Sequence, residues 1–294
     1  MKPMKKGLRI FLILSAIACL IAACILTVRH FIQDRQSEDE LDKYRTEAEA
    51  TPPLQPTAEP LPEVTPDATP VTDAPTEPTP APTATPQPTP APVPNPYEEA
   101  YLDNSDMVGW LVIPGTNVDY PVMWTPADEN YYLYRDFDGS ENANGCLILD
   151  TDSSPEPVTT NLIIHGHNMK SGAMFGNLTD YEDEDYFREH QQIILHTKTC
   201  QRNYEVIAVF RSQVYKKTDE VFKFYKFFQA NTQEEFDDFY NNIKALSLYD
   251  TGVSAEFGDC FITLSTCVYH VTNGRFVVVA KEVDSGPSYL PIDN

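Results

Sequence analysis

A chain of 294 residues with 44 Asp and Glu against 21 Lys and Arg carries a formal charge of -23. That balance argues against nucleic acid as a partner, because phosphate binding needs clustered cations and the sequence shows no basic face. Acidity by itself names no substrate, since runs such as 180–185 ordinarily form solvated faces.

Lys2, Lys5, Lys6 and Arg9 make a basic tail over 1–9, and 10–28 is almost wholly apolar. At ~1.5 Å per residue the apolar run nearly crosses a ~30 Å hydrocarbon core. The basic flank puts the N-terminus in the cytoplasm and everything after Arg29 outside, a single-pass type II anchor. Two other readings compete: a cleaved signal peptide, and a lipoprotein signal at Ile21-Ala22-Ala23-Cys24. The apolar run is longer than a usual signal core and continues past Cys24, which favours the uncleaved anchor. The next segment, 29–50, is charged, can extend the anchor helix, and offers no core of its own. Residues 51–96 hold most of the 25 prolines and no Gly, Lys, Arg or aromatic residue. Such a composition cannot offset its ordering entropy and predicts an extracellular linker, which at ~3.1 Å per residue reaches on the order of 140 Å when extended.

Residues 97–294 are long enough for one domain with a sizeable core. Short β-rich runs at 109–113, 118–122, 146–149, 162–165, 192–197, 204–211, 260–266 and 275–282 predict a mainly β domain, a barrel or sandwich. A helix is predicted where Thr232-Gln233-Glu234-Glu235 forms a capping box ahead of Phe236, Phe239, Tyr240, Ile243 and Leu246, an apolar stripe suited to core packing. A second helix is predicted over 95–104.

The chemistry concentrates in three places. Thr263-Leu264-Ser265-Thr266-Cys267 ends a predicted strand, Arg275 follows eight residues later, and Ile164-His165-Gly166-His167-Asn168 lies about a hundred residues upstream. A free thiol, with a pKa of ~8.5, is only a few per cent thiolate at neutral pH, so a cysteine nucleophile needs a neighbouring base or cation. A guanidinium keeps its proton, which suits Arg275 to an oxyanion rather than to base work. His167 follows Gly166 at the strand's exit, whereas His165 continues the apolar strand and reads as packing. Either imidazole could approach a metal, yet no set of three or four ligands at zinc spacing accompanies them, and no glycine-rich phosphate loop is present. Of the other domain cysteines, Cys146, Cys200 and Cys260 read as small buried apolar groups, and Cys260, an odd seven residues before Cys267, faces the opposite side of an unbroken strand.

The order His, Cys, Arg in these contexts resembles the sortases, cysteine transpeptidases of Gram-positive cell surfaces. Gly109-Trp110, Asp119-Tyr120-Pro121-Val122, Thr263 to Cys267 and Asn273-Gly274-Arg275-Phe276 look like class B members in particular. The resemblance implies a closed eight-stranded β-barrel with a few peripheral helices. It also implies Cys267 as nucleophile, His167 as general acid and base, and Arg275 as oxyanion and substrate stabiliser; Thr266, Ser265 and Asn168, by their place in the motifs, and His270, a loop histidine three residues after Cys267, are read as substrate contacts.

The implied reaction cleaves a C-terminal sorting signal of the Asn-Pro-x-Thr or Ser-Pro-x-Thr type after Thr. It passes the acyl group to an amine of peptidoglycan or lipid II, with no cofactor, from the outer face of the cell membrane. A hydrolytic cysteine peptidase, and an inactive wall-associated binding barrel, are the alternative readings.

Overall fold

The computed structural model describes residues 6–50, 91–268 and 271–292. Its centre is a closed barrel of eight strands: β1 (Met107–Val112), β2 (Asp119–Met123), β3 (Leu147–Leu149), β4 (Asn161–Gly166), β5 (Gln192–His196), β6 (Cys200–Gln213), β7 (Phe261–Cys267) and β8 (Gly274–Ser288). Around the barrel they run β1-β2-β3-β4-β7-β8-β6-β5, and β1 pairs with β5 to close it. Every predicted strand is present. β6 and β8 are the ones that extend well beyond expectation, because they pair with each other along most of their length.

Closure leaves no free edge, and alternation along each strand sends one set of side chains inward. From β4, β7 and β8 the inward set is Leu162, Ile164, Ile262, Leu264, Phe276 and Val278, all buried in the principal core. A second core lies outside the barrel. There α4 (Gln233–Leu246) lays Phe236, Phe239 and Ile243 over Ile207, Phe210, Phe261, Val277 and Val279. The Thr232 hydroxyl caps α4 by accepting from the Glu235 N–H at 3.2 Å. The Glu235 carboxylate reaches back one residue further than the predicted capping box, accepting from the Asn231 N–H at 2.7 Å. The second predicted helix is the shorter α2 (Glu98–Asp103); α3 (Glu184–Glu189) precedes β5.

α1 runs unbroken from Lys6 to Ala50. Its first half exposes Leu12, Leu14, Leu20, Ile21 and Leu26 and is apolar enough to cross a membrane, with a mean hydropathy of 2.4 over its most apolar window. Its second half corrects the expectation that 29–50 lacks a core, since Leu41 and Tyr44 are buried against the barrel. The Tyr44 ring meets Phe137 edge-on at 5.4 Å and Trp110 at 6.0 Å, and its hydroxyl donates to Asp103 at 2.7 Å. Arg45 donates to the Asp119 carbonyl at 2.7 Å and pairs with Glu38 and Asp42. Most of the predicted linker, 51–90, lies outside the described residues. The chain returns at Val93, which bridges to Tyr289 beside the barrel.

Candidate active site

The parallel pairing of β4 with β7 builds the site. Gly166 stands opposite Thr266, so the residues that follow each, His167 and Cys267, leave the two strands side by side. A parallel pair needs a long crossover, and here it contains β5, β6 and α4. The same end of β7 is antiparallel to β8, with Cys267 directly opposite Arg275. Strand alternation puts Phe261 and Val277 on the outer face while Leu264 and Phe276 point inward, so Cys267 and Arg275 share the outer face of the barrel. Sequence positions about a hundred residues apart thus meet at one rim.

Each of the three side chains is partly exposed. His167 Nε2 lies 2.8 Å from the Leu133 carbonyl. A carbonyl can only accept, so Nε2 carries the proton and Nδ1 is left for proton exchange. The Tyr134 ring covers the imidazole at 5.4 Å. These two holders, on the short helical turn Tyr131–Tyr134, were not found from sequence; a main-chain carbonyl leaves no mark in the residue alphabet. Arg275 hydrogen-bonds the Gly274 carbonyl at 3.1 Å, and among the described residues no carboxylate pairs with it.

Of the residues expected near substrate, Asn168 donates to the Cys267 carbonyl at 2.9 Å, tying the two loops together. Thr266 and Ser265 are buried, 2% and 1% exposed. Both sit inside a strand flanked on each side, and the Thr266 hydroxyl is held by the Gly166 carbonyl at 2.7 Å. His270 lies outside the described residues. His165 is a correction: it does not pack inward but faces out, with Nε2 3.0 Å from Asp150. Burial pushes the Asp150 carboxyl up, but the hydrogen bonds from His165 and the Asp152 N–H, with the charges of His165 and Lys226, outweigh it and hold the group below the usual carboxylate range. All six cysteines are free thiols, with Cys146 buried and Cys200 and Cys260 partly so.

Gly166 explains the close approach at the exit of β4. A Cβ there would lie 2.6 Å from both Leu147 and Phe175, so a side chain would displace the strand end that carries His167.

The Sortase domain family matches residues 111–283. Sortase B of Listeria monocytogenes serovar 1/2a is 33% identical over 182 residues, spanning 61% of this chain and 71% of that protein. Sortase B of Staphylococcus aureus is 27% identical over 190 residues, 63% of this chain and 73% of that one. Among solved structures, the Staphylococcus aureus sortase B–substrate complex superposes with a TM-score of 0.58 at 26% identity, over 66% of this chain and 87% of that chain. Sortase B from B. anthracis in complex with AAEK1 gives 0.56 at 31% identity, over 64% and 84%.

Proposed function

Since the chain belongs to the sortase family and is most like its class B members, we propose that it is a cysteine transpeptidase with Cys267 as nucleophile, His167 as acid and base, and Arg275 as oxyanion stabiliser. The observation that carries this reading is the shared register at one rim, Cys267 opposite Arg275 and beside the exit to His167.

In the first step the Cys267 sulfur, as thiolate, attacks the carbonyl carbon of the Thr in a sorting signal. The negative charge that develops on the carbonyl oxygen is met by Arg275 and main-chain N–H groups. As the C–N bond breaks, the His167 imidazolium gives its Nδ1 proton to the departing amine, leaving a thioester on Cys267. In the second step an amine of peptidoglycan or lipid II attacks the thioester, His167 takes its proton, and the thiolate leaves. The product is a secreted protein joined by an amide bond to the wall. The preferred signals are of the Asn-Pro-x-Thr and Ser-Pro-x-Thr type, by resemblance to class B.

The apolar half of α1 then spans the cell membrane of a Gram-positive host, with the basic tail 1–9 in the cytoplasm and 97–294 as the extracellular catalytic domain. The test is intact-mass spectrometry of the full-length protein in detergent, incubated with a panel of both signal types, with and without diaminopimelate or glycine as acceptor. A Cys267-linked acyl adduct that transfers to the amine is the expected result. Release of free acid with the amine present would identify a hydrolase instead, and absence of any adduct would point to a binding barrel.

A further inference from the structure

The second half of α1 stands on the two loops that frame His167. On one side, the Ser37 hydroxyl bonds Asp136 and accepts from Asn142 Nδ2 at 2.7 Å. The Asn142 main-chain N–H binds the Tyr134 carbonyl at 3.0 Å. Tyr134 covers the His167 ring, and the residue before it supplies the carbonyl that holds Nε2. On the other side, Leu41 shares a small cleft with Phe137, Cys146 and Met174. Met174 bridges back to Asn168, and the next residue, Phe175, donates its N–H to the His167 carbonyl at 3.0 Å. The imidazole is thus three contacts from the helix, and its main chain two.

We propose that Ser37 and Leu41 of α1 are positioning residues for His167: the juxtamembrane helix, continuous with the apolar half, holds the imidazole in the tautomer and orientation that proton transfer needs. The inference rests on His167 being the acid and base of the proposed reaction. Its physical basis is that an imidazole's competent nitrogen is chosen by the partner of the other one, and that partner lies on a short helical turn outside the barrel ladder, tied on its C-terminal side through Asn142 to Ser37. The turn Tyr131–Tyr134 and the strand β3 are separated by a long irregular stretch, 135–146, and Ser37 and Leu41 contact it from outside the barrel. A consequence is that the catalytic rim is completed by the membrane anchor itself, and that the segment 51–90 joins two stretches, α1 and 91–96, that both contact the barrel.

The test uses the full-length chain in detergent or nanodiscs. Ser37→Ala removes the hydroxyl with little effect on packing, Ser37→Thr restores it, and Leu41→Ala opens the apolar contact. Histidine side-chain 15N NMR, assigned with His167→Ala, reads the tautomer of His167 without any substrate. Turnover of an Asn-Pro-x-Thr peptide with diaminopimelate reads kcat, KM and their pH profiles. The expected result is loss of the single Nε2-protonated signature in Ser37→Ala and Leu41→Ala. With it comes a kcat reduced about five- to tenfold, as for one or two hydrogen bonds, while the peptide KM stays within about twofold of the parent, and both effects revert in Ser37→Thr. An unaltered signature and pH profile in Ser37→Ala, with His167→Ala inactive, would overturn the inference alone. Full turnover in His167→Ala would overturn it together with the role assigned to His167. If Leu41→Ala fails to fold, Ser37→Ala and Ser37→Thr still decide.

Discussion

The barrel has two walls of opposite character. At the rim of β4, β7 and β8, main-chain carbonyls hold the His167, Arg275 and Asn168 side chains: that of Leu133 for His167, of Gly274 for Arg275, and of Cys267 for Asn168. On β1, β2 and β5, charged and aromatic groups satisfy one another. Asp119 accepts from Trp110 Nε1 and faces Arg45, His196 meets the Tyr289 hydroxyl at 2.6 Å, and Tyr97 stacks on Trp110 at 4.5 Å. Among the described residues the first wall leaves the Cys267 sulfur, the His167 imidazole and the Arg275 guanidinium without an ion-pair partner, which suits the proposed acyl transfer. The second compensates its charges, so side-chain changes at the first should chiefly move rates, and changes to the ion pairs and rings of the second should chiefly move stability.

The largest effect belongs to Cys267→Ala. Turnover should fall by on the order of a thousandfold or more, since no second group can form the acyl intermediate. The thermal midpoint should stay within a few degrees of the parent, because the thiol is partly exposed and makes no core contact. Peptide turnover and scanning calorimetry on the same preparation check both halves. Arg275→Lys comes next, with kcat about a hundredfold lower and the fold unchanged, as a single mobile ammonium replaces the planar fork of donors proposed to meet the oxyanion. Equal losses in kcat and kcat/KM would mark an interaction made in the transition state; a rise in KM alone would move Arg275 to ground-state binding.

The rim on β4, β7 and β8 was largely legible in the sequence; the docking of α1 on the β1, β2 and β5 wall, here the docking wall, was not. Strand periodicity with glycine punctuation located all eight strands, and Gly166 separated His167 from the strand because a side chain there would strike Leu147 and Phe175. What the sequence did not disclose was local chemistry that no residue type encodes. Ser265 and Thr266 lie in a motif yet are buried by pairing on both sides. Leu133 acts through its carbonyl, so its identity says nothing. In 29–50 the signal was present but masked: Leu41, Tyr44 and Ala48 recur at helical spacing among charged residues, too sparse a stripe to stand out until Phe137 and Trp110 fold against it.

The docking wall makes its own predictions. Burial lowers the His196 pKa to about 4. Between there and the ordinary value of ~6.5 the unfolded chain takes up a proton that the folded chain refuses. Stability therefore falls as pH drops through that window, by up to about 3 kcal/mol. Urea titrations at pH 7 and pH 4.5 should show this loss in the parent. His196→Phe, which keeps an aromatic ring against Tyr97, should flatten it, and an unchanged slope would assign the acid sensitivity to other groups.

Trp110→Phe is the smallest effect and the sharpest test, because its hydrogen-bond part depends on pH and its packing part does not. Trp110 Nε1 donates to the Asp119 carboxylate at 2.5 Å. Burial raises the pKa of that carboxyl, while the indole N–H and Arg45 oppose the rise. Losing the donor leaves a partly desolvated anion short of a partner, at a cost of about 2 kcal/mol near neutrality. It also lifts the carboxyl's pKa further, and a carboxyl whose folded pKa is raised binds its proton more readily folded than unfolded, so acidification relieves the strain. The gap between Trp110→Phe and the parent should therefore narrow from pH 7.5 to pH 5, a double difference in which the His196 contribution cancels. A gap that is constant across this range would mean the indole acts through packing on Tyr97 rather than through its hydrogen bond to Asp119.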